Sequence, residues 1–332
     1  MHELKSRLRQ QSPLEFPQSC LQLSKDFFTD LLHRWPMPQG SDANWYHFAS
    51  GHIYTWRGRW TRYSPEGEVV EDFKSKRDFR FGMSERIYTA ASTYPIYFPP
   101  QIYKAVDTDL VLQENTYFQE AERKQSWTLD RHSNSLTDGI YHPQAETQRG
   151  LFLPEIATWS CRELPSQTTG KPVGMEIFFR HKALRFSVGI VFNDAGLLQR
   201  LAIVREFSLE EDKAFWSENI DQQPPIIPEG TYSGWESTVT AELHYSRRKS
   251  SFTPIEAWQT DGDFKITALP DGILVRLPST INRSEERVIE VLWNLEATPE
   301  AEVEAGTIYR ARLSYDRAGR LESLTGGRLR RE

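Results

Sequence analysis

Leu184, Phe186, Val188, Ile190 and Phe192 alternate with Arg185, Ser187, Gly189 and Val191. This period of two is the pattern of a half-buried β-strand. Asn193-Asp194-Ala195-Gly196 turns the chain, and Leu197 to Glu206 predicts the antiparallel partner. The stretch Tyr54-Thr55-Trp56-Arg57-Gly58-Arg59-Trp60 alternates in the same way. Tyr54, Trp56, Gly58, Trp60 and Arg62 then share one face, with Arg57 and Arg59 on the other. Ser64-Pro65-Glu66-Gly67 is a turn signal, and Val69 to Phe81 predicts the returning strand of a long hairpin. The pattern is helical only before residue 40. Phe27, Phe28, Leu31, Leu32 and Trp35 form a stripe that Pro36 and Pro38 end, which predicts an N-terminal helix covering the open end of a barrel.

Residues 207–228 are acidic first and Pro-rich last, with Pro224, Pro225 and Pro228, the composition of a linker. Beyond it, strands are predicted over Gly230–Tyr245, Ser251–Trp258, Phe264–Ala268, Gly272–Leu277, Arg287–Leu295 and Tyr309–Tyr315, with a last one near 320–330. Many short strands separated by turns predict a sandwich or barrel. The expected organisation is a helical segment over 1–40, a barrel with a long insertion over 41–206, a linker over 207–228 and a second, shorter barrel over 229–332. The two halves echo each other in order: Gly58 with Gly234, Trp127 and Asp138-Gly139-Ile140 with Trp258 and Asp271-Gly272-Ile273, and Gly196 with Gly319. The offsets are 176 (58 to 234), 133 (138 to 271) and 123 (196 to 319). One antiparallel barrel made twice is the reading.

Composition narrows the partners. The 332 residues carry 40 Lys and Arg against 46 Asp and Glu, a formal charge of -6, which argues against nucleic acid as a partner. Aromatics are plentiful, with 10 Trp, 13 Tyr and 18 Phe, as a pleated, half-buried surface favours. Two cysteines, Cys20 and Cys161, point to a reducing cytoplasm rather than a disulfide scaffold. The N-terminus lacks an apolar stretch of signal-peptide type, and no run approaches the roughly 18 apolar residues of a membrane-spanning helix.

No catalytic constellation stands out. None of the eight histidines forms a His-x-His or His-x3-His pair and no Cys-x2-Cys occurs, so no metal is expected. There is no Gly-x-Ser-x-Gly elbow and no phosphate loop, and no cofactor is expected. Softer candidates remain. An inward arginine clamps a carboxylate in bidentate fashion, and Arg62 and Arg276 are placed for it; the bland alternative is that they face water. Trp56, Trp60, Trp258 and Trp293 either line a cavity or fill a core, since an eight-stranded barrel holds either side chains or one small ligand.

Asn44-Trp45, Gly51, Trp56-x-Gly58-x-Trp60-Thr61-x-Tyr63, Gly67 and Phe73, with Leu269-Pro270-Asp271-Gly272, Pro278, Trp293, Arg312 to Tyr315-Asp316 and Gly319, resemble a cyanobacterial lipocalin-like family known as domain of unknown function 3598. The resemblance covers roughly 45–80 and 225–325 and implies tandem calycin-type barrels and a photosynthetic host. It supplies no catalytic residues. Gly58-Arg59-Trp60 also fits the Gly-x-Trp signature near the first lipocalin strand. The expected fold is therefore all-β, with two tandem lipocalin-like antiparallel β-barrels and an N-terminal helix. The expected function is binding of a small apolar molecule of fatty acid, terpenoid or tetrapyrrole type through Trp56, Trp60, Arg62, Arg276, Trp258 and Trp293. Two alternatives stay open. One is a lyase or isomerase acting on such a molecule, with Glu290 or His244 as titratable group. The other is an assembly factor with filled barrels and a protein partner at residues 82–180, where Tyr88, Tyr94, Tyr97, Phe98 and Tyr103 cluster.

Overall fold

Antiparallel strands dominate, as the alternating patterns require. The computed structural model describes residues 39–52, 54–82, 87–88, 101–102, 111–118, 124–130, 134–137, 148–164, 172–208, 218–258, 263–281, 286–298 and 305–332. The chain divides into two units, residues 1–38 and 39–332. The helix expected over 27–35, the repeat element at Asp138-Gly139-Ile140 and most of the aromatic cluster between 82 and 103 lie outside the described residues.

The first sheet holds β1 (Thr55–Tyr63), β2 (Val69–Gly82), β5 (Val111–Phe118), β6 (Lys124–Asp130), β7 (Ser135–Thr137), β8 (Gln148–Phe152), β9 (Ile156–Ser160), β10 (Val173–His181), β11 (Leu184–Phe192) and β12 (Leu198–Ser208). Each pairs with the next and β12 returns to β1, so ten strands close into a ring. Two short strands, β3 (Ile87–Tyr88) and β4 (Gln101–Ile102), pair only with each other.

The second sheet runs β14 (Tyr245–Phe252), β13 (Tyr232–Thr240), β19 (Leu321–Arg331), β18 (Thr307–Tyr315), β17 (Arg287–Asn294), β16 (Ile273–Pro278) and β15 (Phe264–Leu269). Its edges β14 and β15 do not pair, so this half is an open sheet and not the second closed barrel expected from strand spacing. Edge strand β14 carries exposed Arg247, Arg248 and Lys249, and cations on an edge discourage further pairing.

Two local expectations change. Gly40–His52, beyond the last stretch read as helical, is a helix, α1. Trp45 and Phe48 recur at helical spacing, and both are buried against the ring. The predicted strand over Ser251–Trp258 ends at Phe252 and gives way to a helical turn, α2 (Pro254–Ala257). Pro254 opens that turn, where a missing N–H costs nothing.

The repeat shows in the ladders. Tyr63 pairs with Leu201 and Val239 with Leu324; the offsets are 176 (63 to 239) and 123 (201 to 324), the same two that relate the glycine pairs of the sequence. Gly196 and Gly319 take φ of 78° and 75° at matching hairpin turns. The β1–β2 turn has Gly67 at φ 98° where the β13–β14 turn has Leu243 at φ 66°.

The halves share an apolar layer. Met175, Ile177, Phe179, Phe186, Val188 and Ile190 point away from the ring's interior and are fully buried. They meet the face of the second sheet that carries Ile289, Val291, Trp293 and Tyr309. The Trp293 ring lies 4.5 Å from Phe186 and 6.3 Å from Phe179. Each large side chain buried here contributes about 1.5–3 kcal/mol. The segment expected as a linker packs as well: Tyr63 donates to the Ile220 carbonyl at 2.7 Å, and Gln223 bridges to Ala268.

Candidate functional site

The inner wall of the ring is built by alternation. Trp56, Trp60, Trp159, Phe152, Phe178 and Val204 form one buried cluster with Trp45 and Phe48 of α1. The helix is pinned by Asn44. Its amide donates to the Asn134 side chain (2.8 Å) and the Gly150 carbonyl (3.0 Å), and its oxygen accepts from Phe152 N and from the Tyr245 hydroxyl, both at 2.8 Å. Burial raises the Tyr245 pKa, so that hydroxyl keeps its proton and donates. Burial lowers His47, one turn further along α1, to about 4, which keeps the imidazole neutral. His52 ends the helix, stacked 5.2 Å from Phe48, and its carbonyl accepts from Trp56 Nε1 at 3.0 Å.

Within this aromatic wall sit charges with no exposure. Arg185 Nε donates to Glu206 Oε2 at 2.7 Å, and its guanidinium lies 4.4 Å from the Trp56 ring and 5.6 Å from Phe178. Ser187 Oγ donates to Glu176 Oε1 at 2.5 Å. Arg185, Ser187, Glu176 and Glu206 are all fully buried. Gly58 makes the room: a Cβ there would stand 2.4 Å from Glu206 Cγ. Sequence reasoning placed Arg185 and Ser187 on the watery face of β11. The apolar face of that strand meets the second sheet instead, which turns the polar face inward.

The predicted site residues divide three ways. Trp56, Trp60 and Arg62 do share the inner wall of the ring. Arg62 stands at the far end of β1 from Trp56, paired with Glu71, with its guanidinium 5.2 Å from Phe73 and 5.8 Å from Trp60. Trp258 and Arg276 lie on the inner face of the second sheet, Trp258 in a cluster with Tyr232, Phe252, Leu274 and Leu292. Trp293 lies on the opposite face of that sheet, in the layer between the halves, with Nε1 donating to Thr298 Oγ1 at 2.8 Å. The structure does not bring the six together. Of the two titratable candidates, His244 is exposed in the β13–β14 turn, whereas Glu290 is buried among arginines.

That second inner face carries its own charge network. Glu290 accepts from Arg276 Nη1 at 3.1 Å and Arg310 Nη2 at 2.8 Å, and Arg312 Nε lies 3.2 Å away. Arg310 also reaches Glu236 at 3.2 Å and covers the Phe252 ring at 3.9 Å. A further buried pair, Arg205 with Asp271 at 3.2 Å, ties β12 to the second half. Among the described residues no group of three or more His, Cys, Asp or Glu is placed to hold a metal, and no helix is long and apolar enough to cross a membrane.

Comparison with solved structures gives a match over 87% of this chain and 99% of the other, at 14% identity and a TM-score of 0.57. The match is a Nostoc punctiforme protein of unknown function from the DUF3598 family. At that identity it shows the fold. A structure of MucB in complex with MucA(peri) aligns at 10% identity over 86% of this chain and 92% of that one, but its TM-score of 0.16 carries no argument. No curated protein matches the chain. The family model described as domain of unknown function (DUF3598), N-terminal, matches residues 41–95 and 101–211, the stretch that builds the ten-stranded ring, and the chain belongs to that family.

Proposed function

We propose that this is a small-molecule-binding protein whose ten-stranded ring works as a lipocalin-like barrel. Its ligand is a mainly apolar molecule of the fatty acid, terpenoid or tetrapyrrole kind, held against Trp56 and Trp60, with Arg62 as a polar contact at the turn end of β1. The observation that carries this reading is the fully buried Arg185–Glu206 pair beside Glu176 and Ser187. Burying two charges costs several kcal/mol per ion, and well-packed apolar residues are often as stable. A wall that needed only to be filled would gain nothing from these charges, whereas one that orients a ligand would.

The test is to purify the full chain from a cyanobacterial host, extract it with organic solvent and identify the extract by mass spectrometry. The expected result is one organic molecule per chain, which quenches tryptophan fluorescence when added back. A clean extract, and no quenching by a panel of fatty acids, terpenoids and tetrapyrroles, would sink the proposal. That outcome would favour a filled scaffold acting through protein partners, a reading supported by the burial of Trp56, Trp60 and Trp159 at 1% exposure or less.

A further inference from the structure

The inner face of the second sheet holds more cation than its own carboxylates satisfy. Arg248, Arg276, Arg310 and Arg312 share this face with Glu236 and Glu290, in a chain whose overall charge is -6. Three of these arginines converge on one carboxylate. Glu290 lies directly between Arg276 on β16 and Arg312 on β18, so the two guanidinium-bearing residues are separated by about two strand spacings, or roughly 10 Å. Arg310 stands two residues along β18 from Arg312 on the same face.

Their hydrogen bonding is incomplete. The Nε–H groups of Arg276, Arg310 and Arg312 are buried and have no hydrogen-bond acceptor among the described residues. Arg312 Nε is near Glu290 but outside hydrogen-bonding geometry. Trp258, 1% exposed on the same inner face, also has a buried Nε1–H without an acceptor there. Buried donors left unmade are costly, and native structures seldom keep several together. Next to Arg310 the face turns apolar: Leu274, Leu292 and Ile308 are buried in a core cluster, and the half-buried Ile266 packs against it, opposite Arg276. Arg312 has 34% of its side chain exposed, so the charged end is open to solvent.

We propose that this face is a second binding site, for an amphipathic carboxylate. The head would take the open guanidinium donors of Arg312 and its neighbours and displace Glu290 from one of them, and the apolar body would lie against the half-buried Ile266 and Val288 on the same face. Arginine is suited to this because its planar fork matches a carboxylate's two oxygens. The site is independent of the ring proposed above, since its charged residues all come from the second sheet.

Titration calorimetry of the full chain with decanoate, 1-decanol and inorganic phosphate tests it. Decanoate should bind one per chain, with 1-decanol at least tenfold weaker and phosphate weaker still. Arg312→Gln, at the most exposed of the three arginines, should weaken decanoate about tenfold and leave 1-decanol unchanged. Glu290→Gln should strengthen decanoate several-fold, because it removes the resident competitor; a purely structural Glu290 predicts no gain. Circular dichroism would verify that both variants fold. Equal affinity for decanoate and 1-decanol, equal affinity for phosphate, or decanoate binding indifferent to Arg312→Gln would each overturn the proposal. Tight decanoate binding that ignores Arg312 would point to the ring instead, which separates failure here from failure there.

Discussion

Glu176 and Glu290 occupy the same place in two copies of one ladder. Glu176 pairs across β11 with Gly189, and Glu290 across β18 with Arg312; Gly189 and Arg312 are related by the 123-residue offset of the hairpin glycines. On the other side, Glu176 pairs with Trp159 and Glu290 with Arg276. Ser187, which donates to Glu176, corresponds to Arg310, which donates to Glu290. The first copy surrounds its carboxylate with a hydroxyl, an indole and a separate ion pair inside a closed ring. The second surrounds it with three arginines on an open sheet. The contrast shows how closure sets chemistry. In a sealed wall every added charge carries its full desolvation cost, so charges come few and matched. On an open sheet face that water reaches, as at Arg312, an excess of one sign is tolerated.

That contrast can be broken at the ring first. Glu206→Gln leaves Arg185 charged, buried and without its carboxylate, and should cost about 3–5 kcal/mol in chemical denaturation. Arg185→Met with Glu206→Gln should recover much of the loss. A single-variant cost below about 1 kcal/mol would mean that the wall is wetter than its burial indicates.

Acid should act next, and on the first copy. His47 packs α1 against Tyr245 at 5.5 Å, and burial holds it near 4 against an ordinary 6.5. The folded state then binds fewer protons than the unfolded one between those values. Stability from this group is full above about pH 6.5 and falls by about 3 kcal/mol as pH drops to 4. Melting measured across that range should show the fall, and His47→Phe should flatten it.

Neutralising the equivalent carboxylates sharpens the comparison further. Glu290→Gln weakens bonds to several arginines and should cost about 1–3 kcal/mol, whereas Glu176→Gln keeps the acceptor for Ser187 and should cost less. Equal costs would mean that the arginines add nothing to the stability of the second copy. A steric cost is expected at the turn. Gly196→Ala takes φ 78° with a side chain and sets its Cβ 2.1 Å from the Ile281 carbonyl oxygen, for a loss of at least about 1–2 kcal/mol; the melting midpoint reports it.

Much of this was legible in the residues. The hairpin 54–81, the strand 184–192, the faces of Trp56, Trp60 and Arg62, and two offsets of the repeat, 176 and 123, follow from period-two alternation and turn chemistry. What alternation cannot supply is which side of a strand is inside. For β11 the apolar side meets β17, which starts 95 residues after β11 ends (192 to 287), and only tertiary packing turns Arg185 inward. Helix α1 was missed because Asn44, His47 and His52 are buried polar residues that interrupt an apolar stripe, and their partners come from β8, β14 and β1. The open second sheet was missed because spacing counts strands and does not say whether the first and last of them meet.

The layer of Met175, Ile177, Phe179, Phe186, Val188 and Ile190 has a consequence for heredity. A piece ending near residue 211 would carry a complete ring with a sticky apolar outer wall, and a piece starting near 229 would carry an open sheet with the matching one. Either half made alone would expose its side of that layer to water, and an exposed apolar patch of this size favours association with other copies. A gene that carries one half without the other therefore specifies a chain with an unfinished surface.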